Sequence, residues 1–177
     1  ALQDLLNKLI CLSGNTLFGL HCAKFVRAES YSLLGFISMS ADNVATALEK
    51  AMPYERLVGD MGTTSFIHHK NELIQRWHCN YNNVDVIPHV VDNVLLSWVN
   101  FTRYLTGDET LAPKEVHFRH RCSDNSKSQY AGAFKCPVKF EQEFDQLIID
   151  RALLTTPIKM PNASLLSLLS TQAEQQI

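Results

Sequence analysis

The hydrophobic positions fall into two rhythms, and the change between them divides the chain. Leu2, Leu5, Leu6, Leu9, Ile10 and Leu12 recur every three or four residues, the spacing that lines up apolar groups on one face of a helix. This predicts a helix over residues 2–12 with a buried apolar face, stopped by Ser13-Gly14-Asn15. A second helix is expected over 16–28, with Leu17, Leu20 and Phe25 inward. Leu33-Leu34-Gly35-Phe36-Ile37 is apolar on every side and reads as a short buried helix segment or a strand, the helix being favoured. Ser40 or Asp42 then caps a helix over about 42–53, with Val44, Ala47, Leu48 and Ala51 as its stripe.

From Thr63 the period shortens to two. Residues 64–69 and 73–79 read as strands joined by the polar turn Lys70-Asn71-Glu72, a hairpin. The helical rhythm returns over 84–106, the longest helix predicted, where Val90, Val91, Val94, Leu95, Trp98, Val99, Thr102 and Leu105 recur. Pro88 sits near its start, where proline is tolerated, and Gly107 is a natural stop. Residues 113–122 alternate strictly. Val116, Phe118, His120 and Cys122 share one face; His117, Arg119 and Arg121 share the other. Residues 124–134 read as a helix or loop, 138–140 and 146–150 as strands, and 151–154 as a helical turn ended by Pro157. A last helix over about 162–176 carries Leu165, Leu166, Leu168 and Leu169. The sum is one α+β domain over 1–177: an antiparallel sheet of about five strands with several helices packed on it.

Composition narrows the function classes. A chain of 177 residues, 46% hydrophobic and 19% charged, is long enough to bury a core of its own. Its 16 Lys and Arg against 18 Asp and Glu leave a formal charge of -2 and no basic stripe, which argues against direct nucleic-acid binding. The apolar runs are far shorter than the ~20 residues of a membrane span, and no secretory pattern is visible. Five cysteines, an odd number without a C-x-x-C, argue against a disulfide framework and for a reducing cytoplasm. A chain that opens at Ala1 without Met reads as a fragment.

Candidate chemistry is sparse. Cys136-Pro137 can mark a haem-binding thiolate in some sensors, but such a pair is far commoner as a plain turn before a strand. His68, His69, His78 and Cys79 on the hairpin would approach His120 and Cys122 if their strands were neighbours, a zinc-type donor set. Their spacing matches no common zinc pattern, and adjacent histidines in a strand point to opposite faces. No G-x-S-x-G, P-loop, G-x-G-x-x-G or H-E-x-x-H occurs, so no catalytic residue is assigned and the chain does not read as an enzyme. Trp77 on a strand and Trp98 on a helix are expected to face each other across a helix–sheet gap. With Phe66, His68 and Tyr104 they would line a small-molecule cavity. Arg27, Arg103, Arg119 and Arg121 are the positive groups available to an anionic effector, or else solvated surface charges.

Four stretches, in order, carry a family resemblance. They are "FGLHCAKF" (18–25), "LLGFISMSADNVATALEKAMPY" (33–54), "LAPKEVHFRH" (111–120) and "YAGAFKCPVKFEQEFDQLIIDRALLTTPI" (130–158). The set resembles the N-terminal effector domain of one large branch of AraC-type bacterial transcription regulators, a domain called "arabinose-binding" by family habit. The label carries no ligand assignment. Two positions depart from the pattern. Lys135 stands where the family often has Gly, and a proline common after the His-bearing strand is replaced within Cys122-Ser123-Asp124.

The resemblance implies the sensing and self-associating part of a cytoplasmic regulator, with a small-molecule effector, a second copy of itself as partner, and no cofactor or membrane contact. DNA would be reached only through a C-terminal helix-turn-helix half absent from this chain. The natural dimer seam is the leucine face of the 162–176 helix, represented by Leu165 and Leu169. In this setting Cys136 belongs to a turn that positions the final strands. The alternative is a haem- or metal-based sensor using Cys136 or the His68, His78 and His120 group.

Overall fold

The computed structural model describes residues 2–176. Its helices are α1 (Leu2–Ser13), α2 (Phe18–Cys22), α3 (Leu33–Ser40), α4 (Val44–Ala51), α5 (Ile87–Thr106), α6 (Asp124–Phe134), α7 (Arg151–Leu154) and α8 (Ala163–Glu174). Its strands are β1 (Gly62–His68), β2 (Glu72–Cys79), β3 (Glu115–His117), β4 (Val138–Lys139) and β5 (Gln146–Asp150). Three tight 3-10 turns occupy Ala23–Phe25, Ala28–Tyr31 and Met52–Leu57.

The five strands form one sheet in the order β1-β2-β5-β3-β4, so the architecture is α+β as the sequence rhythm predicts. All neighbours run antiparallel except β3 and β4, where Val116 sits opposite Val138. A parallel pair needs a crossover rather than a hairpin, and α6 provides it. On β2 the alternation is clean: Leu73, Gln75 and Trp77 are buried against the helices, while the intervening residues are at most half-buried. Gln75 lies opposite Phe66 on one side and Leu147 on the other, so these positions share the inner face.

Helix α5 lies against that face. Its stripe Val90, Val91, Leu95, Leu96 and Val99 joins the main core with Leu17, Leu20, Leu73 and Phe118. Pro88 is in its first turn, and Gly107 (φ 74°) ends it in the left-handed backbone that glycine adopts without cost. Helices α3 and α4 pack on each other beside the sheet, and α8 packs on α3. There Leu34, Ile37, Ala51 and Ala173 make a second small core.

Several expectations are corrected. No residue of α1 is buried: Leu6 and Ile10 rest on the core, but Leu2, Leu5, Leu9 and Leu12 face outward, Leu12 at 84% exposure. The predicted 16–28 helix ends at Cys22 and becomes a 3-10 turn, followed by extended backbone at Val26. That change of direction leaves Phe25 69% exposed, while Leu17 and Leu20 are buried as expected. The cap of α4 is Asn43, whose Oδ1 accepts the Thr46 N–H at 2.9 Å, rather than Ser40 or Asp42. Residues 115–122 do alternate in burial, with Val116 and Phe118 inward, but Pro113 is buried out of phase and only Glu115–His117 pair as strand.

Candidate functional site

A partly open cavity of about 150 Å³ lies between the α3–α4 layer and the inner face of β1, β2 and α5. Helix α5 supplies Val94, Trp98, Phe101 and Thr102, spaced so that one helical face fronts the space. Strand β2 supplies Gln75 and Trp77, two residues apart and therefore on one side of the sheet. Helices α3 and α4 close it with Leu34, Ser38, Val44, Ala47 and Leu48, and the Met52–Leu57 turn adds Glu55. A smaller space of about 40 Å³, toward Leu147 and Pro113, shares Gln75, Trp98 and Thr102 with it. Trp77 can lie against β1 because Gly62 has no side chain: a Cβ there would meet the indole at 2.4 Å.

The lining is mostly apolar, with a few polar groups. Ser38 and Thr102 are occupied by carbonyls of their own helices, at 2.9 Å to Leu34 O and 2.9 Å to Trp98 O. Gln75 is only 3% exposed, and its amide makes no hydrogen bond within the described residues. The Tyr31 hydroxyl is buried beside the Ser97 hydroxyl, but the two do not reach hydrogen-bond geometry and both stay unpaired. Burial pushes the Tyr31 phenol well above its ordinary pKa, so it is a neutral donor. Buried donors and acceptors normally have partners. Free ones in a cavity wall are places for a ligand's polar atoms.

A different arrangement holds the far side of α5. Asp92, 1% exposed, accepts the Tyr130 hydroxyl at 2.7 Å and His120 Nε2 at 2.9 Å. His120 Nδ1 lies 2.9 Å from the Arg121 carbonyl. Both ring nitrogens thus face pure acceptors, which favours the doubly protonated imidazolium. Burial pulls the His120 pKa down, but Asp92 and the Arg121 carbonyl outweigh it and leave it raised. Phe118, Phe134, Phe140 and Tyr130 pack around this group edge-on or stacked. Arg103 is also buried rather than a solvated or effector-binding charge. It donates to Leu111 O (2.7 Å), Asn100 Oδ1 (3.1 Å), Ala133 O (2.9 Å) and Phe134 O (2.9 Å), tying α5 to the end of α6.

Of the residues singled out from sequence, Trp77 and Trp98 come together at the cavity. Phe66 shares the inner sheet face but packs into the core beside it. His68 is exposed at the hairpin end, and Tyr104 is 47% exposed, stacked on Phe101 rather than facing inward. His68 and His78 do not converge: His78 pairs with Thr63, five positions from His68 and on the opposite face. His120 is engaged with Asp92, and no group of three His, Cys, Asp or Glu is placed to hold a metal among the described residues. Cys136 is a half-buried thiol whose pKa burial pushes up to about 11, the reverse of an activated thiolate. On α8, Leu165 is exposed together with Leu168, whereas Leu169 turns inward onto α3 with Leu166.

Sequence reasoning missed Gln75, Tyr31 and Glu55. Gln75 did carry a signal, since a polar residue between Leu73 and Trp77 on an inner strand face has to be explained. Tyr31 and Glu55 sit in irregular turns with no periodicity to read.

The family described as the arabinose-binding domain of AraC transcription regulators, N-terminal, matches residues 1–158. The chain belongs to this family. The matched range includes the Cys136-Pro137 segment, which here links α6 to β4. Among solved structures, the fold is similar to the transcriptional regulator CdpR from Pseudomonas aeruginosa, with a TM-score of 0.75 at 16% sequence identity. That match covers 96% of this chain and 58% of that one, so the AraC-type domain described here spans little more than half the length of the regulator it resembles. No curated protein matches the sequence. Among the described residues, no helix is long and apolar enough to cross a membrane.

Proposed function

We propose that this AraC-type regulatory domain senses a small molecule in the cavity between Trp77 and Trp98, and that occupancy is relayed to a DNA-binding half elsewhere in the parent protein. The carrying observation is a preformed apolar space with unpaired polar groups, Gln75 and Tyr31, in its wall. A cavity of this size accommodates a benzene-sized body. The wall offers few partners for a ring of sugar hydroxyls, so a pentose is a poor fit despite the family's label. The domain is non-enzymatic in this reading and acts in the cytoplasm.

A route outward exists through α3. Leu34 and Ser38 face the cavity, and Leu34 and Ile37 also pack with α8 through Leu166, Leu169 and Ala173. A ligand that binds one arrangement of α3 better shifts the position of α8 by that difference in affinity. In this reading self-association would use the outer strip of α8, Leu165 with Leu168 rather than with Leu169, which is supported by the exposure of the first two. The Leu165→Asp, Leu168→Asp variant should be monomeric by light scattering, and a dimer that survives it removes this seam.

The sensing role is tested by thermal melts and tryptophan fluorescence against neutral and charged aromatic and short aliphatic compounds. A true ligand at a hundredfold excess over Kd stabilises the domain by about 2.7 kcal/mol. It should also change the emission of Trp77 and Trp98, and Trp98→Ala should abolish both effects. A panel that leaves melting and emission untouched would sink the proposal.

A further inference from the structure

The cavity has a charge character that selects among ligands. Four aromatic rings front it, those of Tyr31, Trp77, Trp98 and Phe101, along with one carboxylate, Glu55. No Lys, Arg or His contributes to the lining, and none contributes to the adjoining smaller space. Glu55 is fixed where the Met52–Leu57 turn meets β1. Its Oε2 accepts the Thr64 backbone N–H at 2.9 Å, and its Oε1 accepts the Thr64 hydroxyl. Thr64 is a neutral donor, and no cation pairs with Glu55 among the described residues.

A carboxylate at the edge of an apolar space is left partly uncompensated by two hydrogen bonds from one residue. Aromatic faces carry a negative quadrupole that attracts cations, most strongly when water is excluded. Both features favour a positive ligand and oppose a negative one, and the low dielectric of the cavity magnifies the difference. From this we infer that the domain takes a small amphipathic amine. Its apolar body would sit between Trp77 and Trp98, and its ammonium group would meet Glu55. The inference rests on the sensing role proposed above and adds the class of effector.

Benzylamine, benzyl alcohol and benzoate share one ring and differ in charge, so they isolate the effect. Titration calorimetry on the wild-type domain at neutral pH should find the amine bound about tenfold tighter than the alcohol, and benzoate at least about tenfold weaker than the alcohol. Glu55→Gln, checked for an unchanged melting transition, should bring the ratio of amine to alcohol affinity close to one. Benzoate binding tightest, or all three binding alike, overturns the amine assignment and leaves the cavity as a sensing site if Trp98→Ala still abolishes binding. No binding by any of the three overturns the assignment outright, and the wider panel above then decides the sensing role separately. The wild-type series alone suffices to refute the inference, whatever the variant does.

Discussion

Helix α5 has a different neighbourhood on each flank. Toward α3 and α4, Trp98 and Phe101 front a cavity, and the nearby Gln75 amide and Tyr31 and Ser97 hydroxyls go without partners. Toward α6, Asp92 and Arg103 are as deeply buried, yet between them they close six hydrogen bonds. Polar groups are expensive to bury in either place. Under the proposed reading, groups satisfied on one flank and free on the other separate a frame from a receptor. The frame fixes α5 to the sheet and to α6, and the receptor flank keeps groups without partners among the described residues.

The sharpest break of this contrast is Arg103→Ala. It strips donors from three backbone carbonyls and one side chain inside the frame. Losses of this kind cost about 3–5 kcal/mol. Urea denaturation should show a matching fall in unfolding free energy, whereas Trp98→Phe on the receptor flank should cost less than half as much.

Next in size is the pH response of the Asp92–His120–Tyr130 group. The folded pKa of His120 is raised above its ordinary 6.5. Its stabilising contribution is therefore complete below 6.5 and is lost as pH climbs through the folded value. Asp145, raised mainly by burial, acts in the same sense from lower pH; His89, lowered mainly by burial, acts in the opposite sense as pH falls below 6.5. Asp92→Asn should cost about 1–3 kcal/mol near pH 6. The gap to wild type should narrow at alkaline pH. A gap that stays constant from pH 6 to 9 would show that His120 is not held as an imidazolium.

Gln75→Leu carries the opposite sign. Replacing an unpaired buried amide with an apolar group of similar size should stabilise the ligand-free domain by about 1 kcal/mol. The same change should weaken any ligand that uses the amide. A destabilised Gln75→Leu domain would mean that Gln75 belongs to the frame after all.

The frame was more legible from sequence than the receptor. The 3.6-residue rhythm of α5 and the strict alternation from Val116 to Cys122 are consequences of burial on one face, so they announce which residues go inward. The Trp77 and Trp98 meeting was readable for the same reason, each being large, apolar and in phase with its element. Tyr31 and Glu55 were not, because irregular turns carry no period. Arg103 was misread because charge suggested solvent, when it is the carbonyls at the end of α6 that need its donors. The outward leucines of α1 were misread because periodicity defines a face and does not say what covers it.

The turn that ends α6 locates the last and smallest effect. Lys135 ends α6 at φ 60° and ψ 30°, a left-handed conformation that costs a residue with a Cβ about 1–2 kcal/mol. Glycine adopts it freely but loses more entropy on folding, which returns about 0.5–1 kcal/mol. Lys135→Gly should therefore stabilise the domain by about 0.5 kcal/mol net. It gives up an exposed contact from the lysine to the Glu109 carbonyl and a weak attraction to Asp108. Chemical denaturation of the two proteins side by side resolves a change of that size, and binding at the distant cavity should be unaltered. A loss of stability would mean that the Glu109 contact matters more than the backbone strain, and that the frame holds its C-terminal turn by side-chain capture rather than by conformation.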